Sequence, residues 1–357
     1  MIIDNPDAPN LDKVRALESL YHNYSVNIRE HVKNYGASAA RNTGLDYSDA
    51  DWVILLDDDV TPSDDIIDAY IGATQRYPGA KVFVGSTKLP PPCSVITHAF
   101  VASDLIGSYT IAEKRVDPPW GVTANLCVSG RTSRVRFLLE YPKTGGGEDI
   151  DFCIRASKGK GSIISVPGAL AYHPWWKNGD VTCLLHILGW ARGESLCISS
   201  HYLREHVYFS APNGIEVCIS GLFIALLIKV IRITPISLFS LILSLLIIFC
   251  LETLWHSSHV NKRVAFPYKK TITGRIFISI CAAWVVMFQE AARFISHIQR
   301  GYLQNLFWRF DWVCGKNPDY VLRSIVYTRI KAVLYISVIV MMQIASQNNT
   351  TTCRNNK

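Results

Sequence analysis

Trp52-Val53-Ile54-Leu55-Leu56 runs directly into Asp57-Asp58-Asp59, and this junction constrains the fold more than any other stretch of the chain. A continuous apolar run bounded by polar residues suits a central strand covered on both faces. In an extended chain alternate side chains share a face, so Asp57 and Asp59 point the same way. Two carboxylates this close repel each other unless one is protonated or a cation lies between them. A hard divalent ion with oxygen ligands resolves the repulsion and would also hold phosphates. The strand end is therefore a candidate nucleotide-diphosphate site. The alternative is a solvated acidic loop that caps a helix near Thr61-Pro62-Ser63.

The chain has 357 residues, room for about two domains. Its hydrophobic content of 49% is unevenly placed. Up to about Phe209 charged, apolar and Gly/Pro residues mix as in a globular domain, and beyond it come long apolar runs. We therefore expect a domain over residues 1–210 and a membrane region over 211–357. The net charge of +7 includes no Lys/Arg-rich block interleaved with aromatics and no zinc-finger spacing. It argues for membrane topology and against a nucleic-acid partner. Ten cysteines without a CxxC pair fit a reducing, cytosol-facing domain. No signal peptide is read at Met1-Ile2-Ile3-Asp4.

Ile215–Ile231 and Ile236–Leu251 read as a tight helical hairpin, with Glu216 and Lys229 near the ends of the first arm, where they can snorkel. Ile276–Phe288 is shorter, a third span or an interfacial helix. Tyr327–Ala345 is a fourth candidate, so three or four hydrophobic helices are expected. Lys262, Arg263, Lys269, Lys270 and Arg275 make the connecting loop basic, which by the positive-inside rule places it, and the catalytic half, on the cytoplasmic side. Membrane lipid is thus an expected partner. Asn348-Asn349-Thr350-Thr351 carries glycosylation sequons usable only on the opposite side.

In the first half strand and helix signals alternate: Ile2-Ile3, a helix near Val14–Tyr21, Ser25–Ile28, a helix near Ser38–Leu45, Val53–Leu56, a helix near Asp65–Tyr77, and Val82–Val84. This predicts an α/β domain with a mainly parallel mixed sheet flanked by helices. Ligands of such sheets bind beyond the carboxyl ends of the strands, where the three aspartates fall.

Four ordered elements resemble the family 2 glycosyltransferases of the GT-A fold. They are Asn34–Gly44 (NYGASAARNTG), Asp51–Pro62 (DWVILLDDDVTP), Trp120–Leu126 (WGVTANL) and Gly145–Arg155 (GGGEDIDFCIR), within a likeness spanning about Ile2 to Arg192. The resemblance implies an inverting, metal-dependent transferase that moves a sugar from a nucleotide-diphosphate sugar, UDP-linked by preference, to a glycan or lipid-linked acceptor, with a place in polysaccharide biosynthesis. Asp57 and Asp58 would lie with the nucleotide sugar, and Asp59, with Asp57, would bind Mn²⁺ or Mg²⁺. Arg41 and Asn42 would line the nucleotide side, and Asp4 matches the aspartate that reads the base. Asp149 would be the general base and Glu148 would orient the acceptor. Asn125 falls in the acceptor-side segment, and His173 lies where relatives place a further metal or diphosphate ligand. The resemblance also implies a strand–helix unit ahead of Ile2-Ile3, so the chain reads as truncated at its start.

The residue types suit that chemistry. A carboxylate must be ionised to take a proton from an acceptor hydroxyl, and a divalent ion offsets charge on a departing diphosphate. Trp120, Trp175 and Trp176 offer flat faces for sugar rings, and Trp190 and Arg192 stand near a possible acceptor cap. Leu188-Gly189-Trp190-Ala191-Arg192-Gly193 does not meet the Gln-x-x-Arg-Trp motif of processive polysaccharide synthases. Each element also has a plainer reading: Glu148-Asp149 as a helix start favoured by the dipole, His173 as a core histidine, the Trp175-Trp176 pair as a membrane-interface anchor. Two alternatives stay open, a processive synthase and a catalytically dead membrane scaffold.

Overall fold

The computed structural model describes residues 1–130, 134–157, 162–210, 212–231, 238–312, 329–331, 333–341 and 343–344. The chain forms two compact units that interleave along the sequence. The first holds Met1–Pro91, Ile106–Asn178 and Arg192–Cys197, and the second holds Pro92–Leu105, Gly179–Ala191 and Ile198–Lys357. The sequence reading placed one boundary near residue 210.

In the first unit the elements run β1 (Ile2–Ile3), α1 (Leu11–Leu20), β2 (Arg29–Glu30), α2 (Ala37–Tyr47), β3 (Trp52–Leu56), β4 (Thr61–Pro62), α3 (Ile66–Arg76) and β5 (Val82–Lys88). After α4 (Val95–Ser103) come α5 (Ile111–Lys114), β6 (Asn125–Ser129), α6 (Glu148–Ala156) and β7 (Ile163–Tyr172). The sheet order is β3-β6-β5-β7-β4, and β1 pairs with β2 in a separate parallel ladder. The domain is the expected α/β mixed sheet flanked by helices. Strand directions are more mixed than the alternation suggested, because β6 returns between β3 and β5 antiparallel to both and β4 folds back antiparallel on β7, leaving β5–β7 as the parallel pair of this sheet. The strand expected at Ser25–Ile28 lies slightly later, at Arg29–Glu30.

α3 seats Ile66, Tyr70 and Ala73 on Phe83, Cys127, Ile164 and Val166, with Trp52 tilted against Phe83 at 5.0 Å. Burial of such side chains contributes roughly 1.5–3 kcal/mol each. The β5–β7 ladder shifts register between Gly85 and Ser86, leaving carbonyls of the bulge without strand partners. Asn125 closes that gap. Fully buried, it donates to Ala169 O (2.8 Å) and Ser86 O (3.1 Å) and accepts from the Tyr70 hydroxyl (2.7 Å). A Cβ on Gly85 would lie 2.3 Å from the Asn125 amide nitrogen, so the close approach requires glycine there. Asn125→Leu is expected to destabilise the protein by about 3 kcal/mol, since several buried polar groups lose partners at once. A thermal melt within a degree or two of wild type would contradict it.

In the second unit α4 packs against α10 (Ile272–Gln299). This is why an apolar segment from the middle of the N-terminal half departs from the expected boundary: six of its nine side chains are apolar, and His98 reaches Phe266 O at 3.2 Å. α7 (Leu184–Ser199), β8 (Val207–Phe209), α8 (Gly214–Ile231), α9 (Leu238–Val260) and β9 (Trp308–Phe310) complete the described elements. Among the described residues two helices are long and apolar enough to cross a membrane, Phe239–Arg263 and Ile272–Gln299. The second corrects the shorter span expected at Ile276–Phe288, since the helix continues through Gln289 and Glu290 to residue 299. Phe277, Trp284, Phe288 and Ile295, at helical spacing on its outward face, are exposed. Glu216 does not snorkel. It is fully buried, paired with Arg293 at 2.7 Å and Arg309 at 2.6 Å, as a charge sequestered in an apolar unit must be. The sequons at Asn348–Thr351 and parts of the fourth hydrophobic candidate lie outside the described residues.

Candidate functional site

The site assembles at the C-terminal end of β3. Pairing of Thr61 with Tyr172 and Pro62 with Ala171 brings the end of β7 beside the aspartates. His173 then follows β7 directly, its backbone N–H held by Lys88 O at 2.9 Å. One ligand atom each from Asp57, Asp59 and His173 lies within 4.8 Å of the others. Asp58, between them, is exposed, in the turn that follows β3.

The imidazole is oriented for this role. Its Nδ1 lies 2.5 Å from Pro174 O, and a carbonyl only accepts, so Nδ1 carries the proton. Its Nε2 then faces Asp59 Oδ1, 3.4 Å away, a pairing that a shared proton or a bound cation can bridge. Burial pushes the Asp59 carboxyl above its usual range; His173 opposes the shift, and Asp57 and Asp58 add to it. Two carboxylates and one imidazole suit a divalent cation such as Mn²⁺ or Mg²⁺, so the residues present fit the ion the sequence reading expected.

The second half of the site is the start of α6. Gly145, Gly146 and Gly147 all take positive φ (84°, 133° and 84°), a path that side chains rarely follow. It turns the chain so that Glu148 and Asp149 open the helix, where acids favour the dipole. Glu148, 3% exposed, accepts from Gly146 N (2.5 Å) and from Arg41 Nη1 (2.8 Å). The other arm of Arg41 donates to Asp57 at 2.9 Å. Arg41 therefore ties the end of β3 to the start of α6, reaching Glu148 107 residues further along the sequence. Burial alone would weaken its charge, but Asp57 and Glu148 more than offset this. Asp149 is pushed up to about 8 by burial and by the charge of Glu148, against the pull of Ile150 N–H and Arg41.

Other expected site residues are placed differently. Asp4 accepts from Tyr35 N (3.0 Å), Gly36 N (2.8 Å) and His31 Nδ1 (2.7 Å), so its carboxylate is already occupied at the start of α2. Asn42 clamps Phe137, donating to its carbonyl at 2.9 Å and accepting from its N–H at 2.8 Å. Asn125 is committed to the sheet bulge. Trp120 is buried, and Trp175 is buried with its indole N–H on Pro90 O (3.1 Å) and Pro91 O (3.3 Å). Of the Trp pair, Trp176 stands at the site, its ring 5.2 Å from that of His173. Trp190 belongs to the second unit, against Phe100 at 6.1 Å, whereas exposed Arg192 belongs to the first. Tyr109 is a neighbour the sequence did not announce. It lies edge-on to His173 (5.8 Å) and Trp176 (5.7 Å) in a 3₁₀ turn, Gly107–Thr110, that carries no motif.

Fold and site together define an α/β domain with a carboxylate–imidazole cluster of the kind that holds a divalent cation, beside a buried acidic helix start. Residues 2–88 match the family described as Glycosyl transferase family 2. No curated protein matches the sequence. Among solved structures the chain is similar to GalNAc-T7 with UDP, GalNAc and Mn²⁺ (13% identity, 56% of this chain, 42% of that chain, TM-score 0.40). It is similar to S. aureus TarS (12% identity, 56% of this chain, 36% of that chain, TM-score 0.34). A third is the mannosyltransferase PcManGT from Pyrobaculum calidifontis in complex with GDP-Man and Mn²⁺ (13% identity, 96% and 76%, TM-score 0.38). The chain thus spans less than half the length of the first two. At these TM-scores none of the three bears on the site.

Proposed function

We propose that the protein is an inverting glycosyltransferase using a nucleotide-diphosphate sugar, UDP-linked by preference, and a glycan or lipid-linked acceptor at a membrane. The observation that carries this reading is the two-armed bridge of Arg41, which puts the Asp57–Asp59–His173 cluster and the Glu148–Asp149 helix start into one site. Asp57, Asp59 and His173 would hold Mn²⁺ or Mg²⁺, and the ion supplies Lewis-acid compensation for charge on the leaving diphosphate. Asp149 takes the proton of the acceptor hydroxyl as its oxygen bonds to the anomeric carbon and the bond from that carbon to the diphosphate breaks. Glu148 and Arg41 hold the base and Asp57 in place. Trp176 offers the sugar-facing aromatic surface.

The two long apolar helices, with exposed Phe277, Trp284 and Phe288, support association with a membrane. The basic loop from Lys262 to Arg275 supports a cytoplasmic site.

Titration calorimetry of UDP into the full-length protein in detergent, with and without Mn²⁺, tests the reading. Mn²⁺-dependent binding is expected. Absence of binding in both conditions supports the scaffold alternative instead.

A further inference from the structure

We propose that Tyr109 is a substrate-contacting residue whose phenol donates a hydrogen bond to a hydroxyl of the glycosyl unit being transferred. The inference deepens the transferase reading and rests on it. The ring is fixed on two sides, edge-on to His173 at 5.8 Å and 85° and to Trp176 at 5.7 Å and 74°. The 3₁₀ turn that carries it is closed by Tyr109 N–H on Ile106 O at 3.1 Å. Its hydroxyl makes no hydrogen bond among the described residues.

The ring touches both His173, of the cluster that would hold the diphosphate, and Trp176, the aromatic surface offered to the sugar. In transfer, the piece of substrate that follows the diphosphate toward that surface is the glycosyl unit. Its hydroxyls can accept from a phenol O–H, whereas the carboxylates of the cluster already have other partners: Asp57 on Arg41, Asp59 facing His173.

Tyr109→Phe keeps the ring and its packing and removes the donor alone. Full-length wild type and variant are compared for hydrolysis and transfer with UDP-glucose, UDP-galactose and UDP-GlcNAc, and for binding of UDP with Mn²⁺. On the donor that wild type turns over best, kcat/KM is expected to fall about tenfold to thirtyfold in the variant, with the affinity for UDP and Mn²⁺ unchanged. Deoxy analogues of that donor complete a double-mutant cycle. One deoxygenation should cost wild type a similar factor and cost the variant nothing further. Wild-type turnover with an unaltered Tyr109→Phe variant overturns this inference alone. Equal losses of UDP–Mn²⁺ affinity and turnover overturn it too, by placing the phenol on the diphosphate. A wild-type protein that neither binds UDP with Mn²⁺ nor turns over any of these donors overturns the transferase reading itself, and this inference with it.

Discussion

Asp149→Asn is expected to reduce transfer by roughly 10³-fold while leaving UDP–Mn²⁺ affinity within a factor of about three, because the amide fills the same space and cannot accept the acceptor proton. The wild-type pH profile should identify the same group. Asp149 acts only when ionised, and its carboxyl is held at about 8 rather than in the usual carboxylate range. kcat/KM should therefore fall about tenfold per pH unit below that value, with the acid limb missing from the residual activity of the Asn variant. Stability moves in the opposite sense. A carboxyl raised in the folded state helps folding fully below its unfolded value near 4, and that help is lost as pH climbs toward 8. At pH 7 the Asn variant, which has no charge to desolvate, should melt at or above the wild-type temperature. Full transfer activity in a folded Asp149→Asn protein would remove Asp149 from the chemistry.

Asp59→Asn should weaken Mn²⁺ binding and lower transfer by roughly 10²- to 10³-fold at limiting metal, with partial recovery at high Mn²⁺. The reason is local charge. Asp59 and Asp57 are the carboxylates of the proposed metal site, and Asp57 already shares its carboxylate with Arg41. An amide in place of Asp59 keeps an oxygen but loses the charge, and with it the electrostatic compensation that the crowded aspartates require of a cation. Removing metal with a chelator should reproduce the loss in wild type. Electron paramagnetic resonance of Mn²⁺ titrated into both proteins reads this directly; equal affinity in wild type and variant would exclude Asp59 as a ligand.

Much of this site could be read from local sequence because its parts are local. An apolar run ending in Asp57-Asp58-Asp59 predicts a strand and its exit, alternation predicts which aspartates share a face, and Gly145–Asp149 predicts a tight turn into a helix start. Residues whose role depends on distant partners were harder to place. Asn42, Asn125 and Trp175 sit in or near motif-like segments, yet their hydrogen-bonding groups are taken up by Phe137, by the β5–β7 bulge and by the carbonyls of Pro90 and Pro91. A polar side chain looks the same in sequence whether it faces a ligand or mends a sheet. Tyr109 had no signal at all, since an aromatic residue in a short irregular turn has no period to betray it. The segment Val95–Ser103 reads as part of the N-terminal domain by position, yet it packs on a helix that begins about 170 residues later.

The order of residues alone established the α/β character of the first half, the apolar helices of the second, and the carboxylates at the end of β3 and the start of α6. These follow from periodicity and charge over a few residues. Only the tertiary structure decided that the two acidic groups meet, because Arg41 bridges Asp57 and the distant Glu148, and that His173 joins the cluster, because β4 folds back on the end of β7. Such pairings are set by strand register and packing, which no short stretch of sequence contains.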